Sequence, residues 1–129
     1  MKKSEAQSEN TPVLCIKRAY ATPGPEDGYR VLVDRLWPRG IGKSELQVDD
    51  WWKECAPSTE LRKWFNHRPS RWDQFRQQYI EELDAICGDV SRLHLRCNQR
   101  RITLIYAARD EQHNHAIVLR DFIEARILR

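Results

Sequence analysis

The sequence predicts an α/β domain of layered type, a single compact unit in which helices cover a small, mostly parallel sheet. Three observations lead there. Residues 13–16 and 29–33 are short, apolar and β-prone. Residues 102–108 (ITLIYAA) form an apolar run without alternation, and the remaining segments place apolar residues every three or four positions. A chain of 129 residues holds one hydrophobic core and leaves too little for two.

Residues 1–12 are polar and aperiodic and read as a disordered tail, so the single domain spans 13–129. The first two strands are separated by the breaker-rich ATPGPEDG, which is short for a parallel crossover; a hairpin also fits, and their relative direction stays open. Pro38, Gly40 and Gly42 then stop strand pairing and make a loop at the second strand's C-terminal end. Residues 49–55, with two adjacent tryptophans ahead of Pro57, read as a short strand. Ser58 or Thr59 caps a short helix that carries Leu61, Trp64 and Phe65 on one side and Glu60 in its first turn.

Ser70 and Asp73 have capping-box spacing, and Trp72, Phe75, Tyr79, Leu83 and Ile86 then give the strongest helical periodicity in the chain. Gly88 reads as the stop, and residues 91–99 as a further helix with Arg92, Arg96 and Arg100 along one side. The run 102–108 is expected to be the central strand, buried on both faces. From 111 to 127, Ala116, Leu119, Phe122, Ile123 and Ile127 form one apolar stripe of a closing helix.

Hydrophobic residues make up 40% and charged residues 32%, a water-facing composition. No apolar run approaches the roughly 18 residues of a membrane helix, and the N-terminal stretch lacks the apolar segment of a secretory signal, so a cytoplasmic protein without a membrane partner is expected. Cys15, Cys55, Cys87 and Cys97 lie far apart without C-x-x-C spacing; free, mostly buried thiols fit better than a zinc site. Net charge is +3, but sixteen arginines stand against six lysines, a bias toward the planar fork that binds phosphates and carboxylates. Positive potential is therefore expected to be local.

Two segments concentrate chemistry. Arg109-Asp110-Glu111-Gln112-His113-Asn114-His115 joins the central strand to the last helix, the place where α/β sheets receive ligands. Its backbone N–H groups and Arg109 suit an anion, and His113 or His115, oriented by Asp110, is a candidate general base. The plainer alternative makes Asp110 an N-cap paired with Arg109. His113 and His115 are weak metal candidates, because an i, i+2 pair points to different sides of a helix. Asp34-Arg35-Leu36-Trp37-Pro38-Arg39-Gly40 is a second strand end, where Arg35 and Arg39 flank a tryptophan. Ser58, Thr59 and Arg62 are a third, weaker group, for which simple capping is the favoured role. No G-x-S-x-G elbow, Walker loop or dinucleotide glycine fingerprint occurs, and no cofactor is implied.

The segments IKRAY, DGYRVLVDRLWPRGI, APSTELRKWF and RITLIYAARDEQHNHAIVL together resemble the YeaO-like branch of the domain of unknown function 488 family, over about Val13 to the C-terminus. The resemblance implies a compact layered α/β domain and draws attention to the same strand ends. In the family's longer-chain branch, a segment similar to Arg109 to His115 usually carries a cysteine, and Asn114 falls at that place. An amide is neither a thiolate nucleophile nor a strong soft-metal ligand, so the resemblance leaves binding or histidine-assisted chemistry.

The preferred expectation is a small anionic ligand, phosphorylated or nucleotide-like, held by Arg35, Arg39, Arg109 and the last helix's N-terminus with Asn114, with Trp37 as a stacking wall and His113 assisting hydrolysis if the chain is an enzyme. The alternatives are a nucleic-acid-binding module using arginines and five tryptophans, and a non-catalytic interaction protein with those tryptophans exposed.

Overall fold

A computed structural model describes residues 12–95, 97 and 100–128. Four strands, β1 (Val13–Arg18), β2 (Tyr29–Leu32), β3 (Asp50–Trp51) and β4 (Arg101–Tyr106), form one sheet in the order β1-β4-β2-β3. Every pairing is parallel, with Val13 beside Arg101, Tyr29 beside Ile102 and Val31 beside Asp50. The helices are α1 (Lys43–Leu46), α2 (Thr59–Phe65), α3 (Trp72–Ala85), α4 (Cys87–Leu95) and α5 (His115–Phe122), the last continued by a π-turn over Ile123–Ile127. This is the layered α/β domain read from the sequence. The proposed tail lies outside the described residues except for Pro12.

The hairpin between the first two strands does not form, because β4 lies between them and all three run the same way. The link is long enough for this, since an extended chain covers about 3.3 Å per residue and β2 is four residues long. Gly28 ends the link at φ +67°, and a Cβ there would lie 2.3 Å from the Arg101 carbonyl oxygen, so both its conformation and its close approach require glycine.

β4 is central and buried on both faces. Ile102, Leu104 and Tyr106 join Val31, Val33 and the helices in the main core, while Ile105 and Leu32 belong to a second cluster with Ala19 and Leu46. Alternate residues of one strand thus serve opposite faces. α3 supplies Phe75, Tyr79 and Leu83 to the main core at the expected helical spacing.

Local signals were displaced in three places. Ser70 does not cap α3: Pro69 starts a 3-10 turn over Pro69–Arg71, and the helix begins at Trp72 without a side-chain cap. Gly88 lies inside α4; the break is at Ile86, and burial of Val90 and Leu93 carries the helix through a residue that costs about 1 kcal/mol in propensity. The last helix starts at His115 instead of the expected 111, because Asp110 folds the preceding loop onto itself and Asn114 takes the cap. Of the arginine row, Arg92 pairs with Asp89, and Arg96 lies outside the described residues.

Candidate functional site

Because the strands are parallel, the segments that follow them emerge on one side of the sheet, and a cavity of about 460 Å³ opens there. Asp34, Arg35 and Leu36 follow β2, and Ala107 and Ala108 follow β4. His113, Asn114 and His115 contribute from the start of α5. The opposite wall is the end of α2, with Arg62, Lys63, Asn66 and His67, and Phe65 joins Ala56, Pro57 and Phe75 in the floor.

The α5 side is a hydrogen-bonded cluster. Asp110 accepts from the backbone N–H groups of Gln112 (2.9 Å) and His113 (3.0 Å), and its other oxygen lies 2.9 Å from His113 Nδ1. The Gln112 amide foremost, with the ring and amide of His113, holds the Asp110 carboxyl below the usual carboxylate range. Binding at Nδ1 leaves Nε2 as the His113 nitrogen open to a ligand. The ring is steadied edge-on against Trp72, with centroids 5.4 Å apart. Asn114 is buried; its Oδ1 accepts from Ile117 N–H at 3.1 Å, and its Nδ2 donates to the Asp110 carbonyl at 3.0 Å. Asn114→Ala removes this cap and is expected to lower stability by about 1 kcal/mol, read as a shifted denaturation midpoint.

His115 plays a different part. Its Nε2 is 3.1 Å from the Val33 carbonyl oxygen and 3.0 Å from Asp34 Oδ1, the latter without hydrogen-bond alignment, while its ring packs against Tyr79. Asp34 is anchored by the Ala107 N–H at 3.1 Å, which ties the end of β2 to the end of β4. Arg35 Nη2 donates to the Ala56 and Pro57 carbonyls (3.3 and 3.2 Å), and its buried Nε has no partner among the described residues. The two histidines engage different partners, and the described residues contain no set of three His, Cys, Asp or Glu side chains placed to hold a metal. Cys55, buried under Tyr79, has its thiol pushed up to about 12 by burial, with Glu54 and Asp89 adding, so it is no ready thiolate.

Of the residues singled out in the sequence, Arg35, His113, Asn114 and His115 line the cavity, and Asp110 stands behind His113. Trp37, Arg39 and Arg109 are not on the lining. Trp37 donates to the Ile41 carbonyl and meets Trp51 edge-on in the second cluster; Arg39 is exposed, its carbonyl accepting from Tyr20; Arg109 is exposed. Ser58 is consumed by structure: its Oγ accepts from Leu61 N–H and donates to Glu82. Lys63, Asn66 and His67 were missed, and Arg62 was placed with the start of α2, whereas the lining draws on the helix's last turn. A helix end that folds over strand ends leaves no mark in residue spacing.

Cation charge dominates the lining, with Arg35, Arg62 and Lys63 against Asp34. Neither Arg62 nor Lys63 has a side-chain ion-pair partner among the described residues. Both are exposed, as is His67.

Together these features define a single-sheet parallel α/β protein with a basic cavity over its strand ends. The chain belongs to the DUF488-N3i family, the inactive DUF488-N3 subclade, whose profile matches residues 13–129. The family read from the motifs is thereby borne out. The uncharacterized protein YeaO of Escherichia coli is 45% identical over 109 residues, which cover 84% of this chain and 95% of the relative. The uncharacterized proteins Rv3073c of Mycobacterium tuberculosis and Mb3100c of Mycobacterium bovis are each 40% identical over 111 residues, covering 86% of this chain and 93% of theirs. No solved structure matches the chain. No helix among the described residues is long and apolar enough to cross a membrane.

Proposed function

We propose that this chain binds a small anionic ligand, phosphorylated or nucleotide-like, in the strand-end cavity. The observation that carries the reading is the surplus of cations on the lining, two of them without an ion-pair partner among the described residues. Arg62 and Lys63 also complement the C-terminal end of the α2 dipole, but that role does not require a cavity beside them. His113 Nε2 adds a donor or acceptor according to its protonation.

Binding without turnover is the better-supported form. The family is described as inactive, and Asn114 is spent on capping. A histidine-assisted hydrolysis would rest on the Asp110–His113 pair alone. The interaction-protein reading calls on exposed tryptophans, and all five are half-buried or buried, which also leaves the nucleic-acid reading, built on arginines and tryptophans, with less ring surface for stacking.

The test is thermal denaturation against inorganic phosphate and a nucleoside monophosphate. Saturable stabilisation is expected, roughly 2.7 kcal/mol at a hundredfold excess over Kd. It should be lost in Arg62→Ala/Lys63→Ala and kept in Arg39→Ala and Arg109→Ala. No stabilisation by either anion, or loss only in the Arg109 variant, overturns the assignment.

A further inference from the structure

The cavity has a charged rim and an apolar floor. Arg62 and Lys63 stand exposed on the rim, whereas Ala56, Phe65 and Phe75 in the floor are 6%, 6% and 2% exposed. The Phe65 and Phe75 rings stack on one another with centroids 4.4 Å apart and make this side of the cavity apolar. Leu36 forms the lip and is 66% exposed, against 46% for Val13 and 47% for Tyr20, the other exposed large apolar side chains among the described residues. Inorganic phosphate would engage the rim and leave both Leu36 and the floor against water. A cavity of about 460 Å³ lies in the range of sites that enclose a whole organic ligand.

Resting on the anion-binding reading, we propose that the ligand is an organic anion with an apolar or planar body, a phosphate or carboxylate whose charged end lies between Arg62 and Lys63 and whose body rests on Phe65 and Phe75 beneath Leu36. Selectivity then comes from the floor and the lip, and charge alone gives only attraction to the rim.

Isothermal titration of the full chain with phenyl phosphate, inorganic phosphate and benzyl alcohol tests this, with Leu36→Ser as a surface variant whose fold is checked by its melting temperature. Phenyl phosphate is expected to bind at least about tenfold more tightly than inorganic phosphate, a gap of about 1.4 kcal/mol. Leu36→Ser should narrow that gap about threefold and leave inorganic phosphate unchanged. Arg62→Ala/Lys63→Ala should weaken both anions. Equal affinity for the two phosphates overturns the organic body while the anion site stands. Failure of both phosphates to bind, or benzyl alcohol binding as tightly as phenyl phosphate, overturns the anion site and this inference with it. A preference for phenyl phosphate that survives all these substitutions puts the ligand elsewhere and likewise overturns it.

Discussion

Asp27→Ala is expected to destabilise the chain by about 3–5 kcal/mol, read from the denaturant midpoint at neutral pH. Asp27 closes the 3-10 turn over Pro25–Asp27 that leads into β2, with a side chain 6% exposed. It accepts from Arg30 Nη1 at 2.6 Å and from Lys17 Nζ at 3.0 Å. The Arg30 side chain is itself 5% exposed and also donates to the Leu46 and Gln47 carbonyls, so it cannot swing into water when its carboxylate is lost. A buried guanidinium short of a counter-charge is the source of the cost. Asp27 also fixes the turn, since its carboxylate accepts from Gly24 N–H and its carbonyl from the Thr103 hydroxyl. A loss under about 1 kcal/mol would show that the cluster relaxes into solvent.

The same group sets an acid limb. Desolvation pushes the Asp27 carboxyl up, but the Gly24 amide, Lys17 and Arg30 outweigh it and hold it below the usual carboxylate range. A carboxyl depressed in the folded state contributes stability that is full above its unfolded value, near pH 4, and is lost as pH falls through its folded value. Stability is therefore expected to fall steeply below about pH 4, and the fall should be shallower in Asp27→Asn.

Leu104→Ala is expected to cost about 2–5 kcal/mol, measured by the same denaturation. Leu104 is 0% exposed and lies in the middle of β4, with Ile16 beside it on one flank and Val31 on the other. Strands on both sides and helices above leave little freedom to collapse into the vacated space. Leu14→Ala, on an edge strand at 7% exposure, should cost less. Equal losses at the two positions would mean that the core repacks around β4 as readily as around the edge.

The sheet's membership was readable because its strands carry local signals. ITLIYAA has no alternation since Ile105 serves one core cluster while Leu104 and Tyr106 serve the other, and Thr103 among them is buried too. α3 was readable from its apolar recurrence. Ser70 and Gly88 misled because a cap or a stop is worth only about 1 kcal/mol, which the φ of Pro69 and the burial of Val90 outweigh. On the candidate site, the strand-end rule brought out Arg35, His113, Asn114 and His115, all of which line the cavity. It also brought out Trp37, Arg39 and Arg109, which share those loops but are not on the lining, because a loop's path does not determine which of its side chains turn inward.

By itself, the sequence determined the class of fold, the central place of the strand that runs to Tyr106, two residues short of the expected 102–108, the strongest helix and the family, since each rests on local composition or on contiguous motifs. The tertiary structure alone decided that β4 enters between β1 and β2, so that the first two strands are parallel and two apart. It alone swung the last turn of α2 over the strand ends, adding Lys63 and His67 to the cavity and placing Arg62 on its wall. Strand order and helix docking are settled by which apolar faces bury one another across long stretches of chain, and such pairings are energies of the whole fold that no local pattern records.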